Sequence, residues 1–274
     1  MSRSLAVRGL TLAAGVLLAA CGDSTAPNST LTSNDNGGSA LPTFDEFKAA
    51  LQAVQQESNG GLGFNMWGTI VDRHGVVVAV VFTGDSPTDE WPGSRVISAQ
   101  KANTANAFSL TSFALSTANL YAATQPGGSL FGLQFSNPVD EQAAYDGEVA
   151  DFGTNHDPMM GKKIGGVNVF GGGLALYGSD GTLLGALGVS GDLSCADHII
   201  AWKVRDRLGL DFVPAGVNTL NESQASGDDN IIFDLTPQDK SKGGFGHPVC
   251  NDATKDIGED LPTTNPIGGT PPTT

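Results

Sequence analysis

Two tight reversals, each flanked by apolar runs, constrain this 274-residue chain more than any other feature. In the first, Phe64 to Val71 leads into Asp72-Arg73-His74-Gly75, and Val76 to Phe82 returns as a nearly continuous apolar run. In the second, a Gly-interrupted run from Val167 to Tyr177 leads into Gly178-Ser179-Asp180-Gly181 and returns over Thr182 to Val189. Asp, Ser and Gly accept turn conformations that other residues resist, so each unit predicts an antiparallel hairpin. Helical signals surround them. Thr43-Phe44-Asp45-Glu46 reads as a capping box and opens a helix with Phe44, Phe47, Leu51 and Val54 on one face. Arg95 to Phe108 reads as a second helix, with Val96, Ala99, Ala102 (or Asn103) and Ala107 able to share a face, and Phe113 to Ala123 as a short third. Ser194-Cys195-Ala196-Asp197 reads as another capping box, opening a helix whose core face is Ile200, Ala201, Val204 and Leu208. Adjacent hairpins among helices predict an α+β fold. Its antiparallel central sheet would have about five strands from two hairpins, with helices packed on its faces.

The ends of the chain read differently. Arg3 and Arg8 precede an apolar stretch from Leu10 to Ala20, too short for a bilayer span and suited to a signal peptide over 1–20. It ends Leu18-Ala19-Ala20-Cys21, which resembles the bacterial lipobox and implies lipidation of Cys21. Residues 21–42 then form a lipidated cysteine and a polar, disordered tether. The folded domain is expected over 43–250, with a disordered tail over 251–274. This predicts a cell-envelope protein, lipid-anchored on the extracytoplasmic side. In that oxidising setting the remaining cysteines, Cys195 and Cys250, are expected to form a disulfide. Lys and Arg number 14 against 29 for Asp and Glu, a net charge of −15, which argues against nucleic acid as a partner. The chain contains no G-x-x-x-x-G-K-[ST] and no H-E-x-x-H, so neither a P-loop nucleotide site nor that zinc motif is indicated.

Four stretches in order resemble the GlcG/HbpS-like haem-binding (haem-degrading) family. Val71-Asp72-Arg73-His74-Gly75 is similar to its strand and D-x-x-G turn. Lys101, Ala102, Thr104 and Ala105 match its A-x-x-K-A-x-T-A helix, with Asn103 at a free position. Gly165-Gly166-Val167-Asn168-Val169 resembles G-G-V-P-I with Asn168 in place of proline. Gly185-Ala186-Leu187-Gly188-Val189-Ser190-Gly191 is close to G-A-I-G-V-S-G, followed by Asp197 and Ala201 at the expected places. The similarity covers about residues 45–210. It implies a profilin-like, sensor-domain-like sandwich, haem or iron as ligand in some members, and homo-oligomers in some. The chain departs from the pattern in an insertion at 134–163 and in the sequence after 210.

The resemblance directs attention to haem ligands. His156, Met159 and Met160 lie together in the insertion and are candidate ligands for haem iron, or residues of an exposed loop. Lys101, Thr104, Ser190 and His198 are candidate ligand-binding residues, with Lys101 able to meet a propionate. His198 stands four residues before Trp202 and could serve a macrocycle or pack at the helix start. Ala102 to Val139 carries no charged residue, which fits either a ligand pocket with neutral polar groups or simple packing. Ser190, Asp197 and His198 have hydrolase residue types, but Asp192 breaks G-x-S-x-G. The acidic run Ser226-Gly227-Asp228-Asp229-Asn230 reads as a solvated turn. The expected function is haem, or a related small ligand, bound by a membrane-tethered protein without catalysis. The alternatives are a sensing or interaction lipoprotein and a haem-degrading enzyme.

Overall fold

The computed structural model describes residues 40–220 and 224–268. The expectations for the leader, for Cys21 and for nearly all of the tether lie outside these residues. The described chain runs α1 (Phe44–Gln55), β1 (Trp67–Asp72), β2 (Val77–Phe82), α2 (Ser94–Phe108), α3 (Tyr121–Thr124), α4 (Glu141–Tyr145), β3 (Gly173–Tyr177), β4 (Leu183–Ser190), α5 (Ser194–Arg207) and α6 (Asp252–Thr264). Among the described residues no helix is long and apolar enough to cross a membrane.

Both hairpins form, and they join edge to edge. The sheet order is β2-β1-β4-β3, antiparallel throughout, with Trp67 opposite Ser190 and Ile70 opposite Leu187 at the central seam. The fold is thus α+β as expected, with four strands among the described residues rather than about five. The strand expected over Val167 to Tyr177 is also shorter, because Gly172 takes φ +117°, which interrupts an extended ladder and delays β3 until Gly173.

Each strand alternates between two cores. Ile70, Ala79, Val81, Leu187 and Val189 face α1 and α5 with Phe47, Leu51, Ile199 and Trp202. Trp67, Val71, Val80, Phe82 and Ala186 face α2 and the insertion, with Val96, Ala99, Ala102, Met159 and Ile164. Covered on both faces, the strands are buried almost without exception. That explains why Val76 to Phe82 reads as a continuous apolar run and not an alternating one.

α2 sits unusually close to the sheet. A Cβ added at Gly188 would lie 2.0 Å from the Ser98 carbonyl oxygen. Only small residues fit such a seam, which accounts for Ser98, Ala99, Ala102 and Ala105 on the helix. The neutral polar groups of the uncharged stretch are satisfied within the protein. Thr104 Oγ1 donates to Gln100 O and accepts from Asn168 N, Asn119 Nδ2 donates to Asn230 O, and Ser109 Oγ exchanges hydrogen bonds with Leu115. The stretch is therefore packing.

Local signals at the helix starts fared unevenly. Thr43 and Glu46 form the expected capping box. The second does not form, because α5 begins at Ser194 after Leu193, and no side chain caps it. The expected third helix shrinks to a 3-10 turn, Ala118–Leu120, followed by α3. The segment expected as a disordered tail instead contains α6, capped by Asn251 and buried through Leu261 against α5. Its core residues are sparse, which is why its polar sequence hid it. Asp228, Asp229 and Asn230, expected to be solvated, are buried.

Candidate functional site

The helix bearing Lys101 and the helix bearing Asp197 place one buried ion pair between them. Lys101 Nζ donates to Asp197 Oδ2 at 2.7 Å and to Val189 O at 3.0 Å, while Asp197 Oδ1 accepts from Asp192 N at 2.9 Å. Burial pushes the Asp197 carboxyl up to about 6, against the pull of Lys101. Burial likewise lowers Lys101, against the pull of Asp197. Lys101, Thr104 and Ser190 are all buried, but Lys101 reaches β4 at Val189 whereas Thr104 is turned to the Asn168 backbone. Lys101 is committed to Asp197 rather than presented to a propionate.

His198 is the next residue along α5 and is sealed. Its Nε2 is 3.1 Å from both Asn230 Oδ1 and the Ile231 backbone nitrogen, and its Nδ1 has no hydrogen-bond partner. Trp202 is a tilted neighbour, 6.3 Å between ring centroids. Burial drives the imidazole down to about 3, so it is neutral at any physiological pH. The groups over it come from the sequence after 210. Asn230 is held by Gly258 O, and Ile231 packs with Cys195 and Phe233. Arg205 pairs with Asp229 at 2.7 and 2.8 Å. The expected disulfide is present between Cys195 and Cys250. Beside it, His247 is buried 3.4 Å from Ser194 Oγ and is pushed down to about 4, chiefly by burial.

The insertion forms a lobe folded onto the sheet. Arg95, at the start of α2, holds it: Nε donates to Asp157 Oδ2 at 2.8 Å, Nη2 donates to Asp157 Oδ1, and Nη1 donates to Ala144 O at 3.0 Å. Phe152 lies 3.7 Å from the guanidinium. The lobe separates the three residues singled out in it. His156 is exposed, Met160 is half-buried, and Met159 is fully buried in the core. Met159 is therefore a packing residue. Among the described residues no cluster of three or more His, Cys, Asp or Glu side chains could hold a metal ion.

The family model for "Haem degrading protein HbpS-like" matches residues 43–205. The chain belongs to this family. No curated protein matches it. Among solved structures it is similar to a crystal structure of a PduOC–haem complex, at 27% identity over 62% of this chain and 95% of that one, with a TM-score of 0.42. It is also similar to the Klebsiella pneumoniae protein ORFY, at 23% identity over 64% of this chain and 95% of that one, with a TM-score of 0.42. This HbpS-like chain carries its sealed histidine inside the matched region and the residues that seal it outside. Sequence reasoning missed Arg95–Asp157 and Arg205–Asp229, because ion pairs between distant segments leave no local pattern. It missed Asn230 for the same reason.

Proposed function

We propose that this protein binds haem, or a closely related tetrapyrrole, as a lipid-anchored protein on the extracytoplasmic side of a bacterial membrane. The observation that carries the ligand is the haem-degrading family model spanning both hairpins and α1 to α5. The lipobox ending in Cys21 supports the anchor.

The residues present fit the group at the insertion lobe. Haem requires an axial donor and apolar surface. His74 and His156 are the exposed imidazoles, since His198 and His247 are buried. His156 belongs to the lobe that also exposes Tyr145 and Val149, so an imidazole and apolar surface occur on one substructure. Met160 is half-buried close by in sequence. Lys163 is exposed, and Lys162 pairs at the surface with Asp146. These two lysines take over the propionate role first assigned to Lys101. Haem bound there would supply iron-centred redox chemistry, and the chain's own part would be to bind and orient it.

A haemin titration of the full chain, followed by its Soret band, tests the ligand. A saturable shifted band, lost in His156→Ala, is expected. A band surviving His156→Ala moves the site elsewhere, and no band beyond that of an unrelated acidic protein retires haem. Disappearance of the band on adding a reductant, with release of iron, would make the protein an enzyme. The anchor is tested by incorporation of labelled palmitate, expected in the native chain and absent from Cys21→Ala.

A further inference from the structure

Exposed large apolar side chains are grouped at three places in the described chain, and the groups differ in charge. Leu62, Phe64 and Trp91 form the first, with the Phe64 and Trp91 rings edge to face at 5.4 Å. Asp89 and Glu90 directly precede Trp91, and Asp192 accepts from the backbone nitrogens of Leu62, Gly63 and Phe64. Tyr145 and Val149 form the second, in the insertion lobe, with Asp146 and Glu148 exposed between them. Phe131 and Phe135 form the third, 59% and 80% exposed, with ring centroids 6.4 Å apart. They lie in the stretch from Ala102 to Val139 that carries no charged residue.

The exposure of this third pair is built into its loop. Leu130 and Leu133 turn inward and pack with Val167 and Val169. The backbone folds tightly on itself, with Leu130 N donating to Ala123 O, Phe131 N to Gly128 O, Leu133 N to Leu130 O and Ser136 N to Gly132 O. With the leucines fixed inward, both phenyl rings are held in water, where apolar surface is unfavourable. Charged groups stay at the margins. The base of the loop, 125–129, meets Asp239 and Lys240, one charge of each sign, and the Lys240 ammonium is 3.5 Å from where a Cβ on Gly127 would stand. Asp140, the next carboxylate along the chain, is engaged in capping α4 through Ala143 N.

We propose that Phe131 and Phe135 dip into the bilayer that carries the lipid anchor and so fix which face of the domain meets the membrane. The proposal rests on the lipid-anchored reading above. From Cys21 to Ala40 the chain reaches at most about 65 Å when fully extended. A compact domain of this size is about 45 Å across. The connection is therefore long enough for any face to turn to the lipid, and surface chemistry selects among the faces. Bringing the Trp91 group or the insertion lobe to the hydrocarbon boundary strips water from carboxylates and sets them against anionic headgroups, and both effects are unfavourable. The 131–135 loop enters with no ionised group of its own and gains by burying two aromatic rings.

The test places the full chain on vesicles of phosphatidylglycerol and acyl-brominated phosphatidylcholine, in which bromine quenches a tryptophan that reaches the acyl chains. Phe135→Trp adds the probe at an exposed position, one aromatic ring for another. Of the native tryptophans, Trp67 and Trp202 are buried and Trp91 is exposed in its acidic surroundings, so the native chain is expected to show little quenching. Emission of the added tryptophan is expected to fall at least about twofold. In Phe131→Asp/Phe135→Trp that quenching should disappear, because the new carboxylate would have to enter the interface with the ring. A probe that stays unquenched on vesicle-bound protein overturns the insertion and leaves the pair to a protein partner. Equal quenching of the native chain gives the contact to Trp91 and also overturns it. Palmitate labelling keeps the two readings apart. A labelled chain with an unquenched probe keeps the anchor and loses the inserted loop, whereas an unlabelled chain with a quenched probe loses the anchor and keeps the loop.

Discussion

Lys101 Nζ and Asp197 Oδ2 meet at 2.7 Å with both side chains almost wholly excluded from water. Their contact ties α2 to α5 across the end of β4, where Val189 O shares the ammonium. Neither residue has a solvent-facing surface to offer a ligand.

Removing one partner leaves the other buried and uncompensated. Lys101→Ala is expected to cost about 3 to 5 kcal/mol in urea unfolding, and Asp197→Asn less, since it retains an acceptor for Lys101 and Asp192 N. Haemin affinity of folded Lys101→Ala protein should be unchanged. A selective loss of affinity at full stability would return Lys101 to the binding site.

Acidification should destabilise the fold through two histidines. Both His198 and His247 sit below the ordinary 6.5 in the folded state, at about 3 and about 4. Between those values and 6.5 the unfolded chain binds protons that the native chain does not, so stability falls as pH falls. Asp197 acts in the opposite sense. Its carboxyl is raised to about 6 from 3.8, so between these values the native chain holds the extra proton and stability falls as pH rises. Near pH 5 two protons taken up on unfolding oppose one released, and these groups leave a net slope of about 1.4 kcal/mol per pH unit. Urea midpoints measured from pH 7 to 4.5 should decline, and His247→Gln should flatten the decline. An unchanged slope in that variant rejects the assignment.

The guanidinium of Arg95 holds the insertion lobe from beneath. Arg95→Ala is expected to cost about 3 to 5 kcal/mol by orphaning buried Asp157, and Arg95→Lys should recover little of it, because a point charge cannot reproduce the fork. Limited proteolysis should cut the variant first between 141 and 163. A cleavage pattern identical to that of the native chain would show the lobe to be held by its apolar contacts alone.

A single methyl tests the seam between α2 and the sheet. At Gly188 it would fall 2.0 Å from Ser98 O, and backbone cannot yield as a flexible side chain does. Gly188→Ala is expected to destabilise by about 1 to 3 kcal/mol, visible as a lowered melting temperature, while Gly161→Ala, in open space but at φ +77°, should cost less.

The hairpins, α1 and α2 were legible because each obeys a local rule: a turn sequence between apolar runs, or an apolar face at helical spacing. The seam was legible only as small residues, and these read equally as pocket or packing until the distance from Gly188 to Ser98 decided it. His156, Met159 and Met160 were read together, as haem-iron ligands or as one exposed loop, yet three residues of irregular backbone send Met159 into the core. α6 was invisible because its sequence is polar and its burial is bestowed by α5. The buried charges at Asp157 and Asp229 have partners that sequence order conceals.

Arg205 is the last residue that the family model matches, and it is among the most deeply buried side chains of the chain. Its carboxylate partner, Asp229, lies beyond that boundary. Cutting the chain at the end of the resemblance would strand a guanidinium in a half-opened core. The matched module and the buried core therefore have different termini, and the extension is a structural debt that the domain cannot shed.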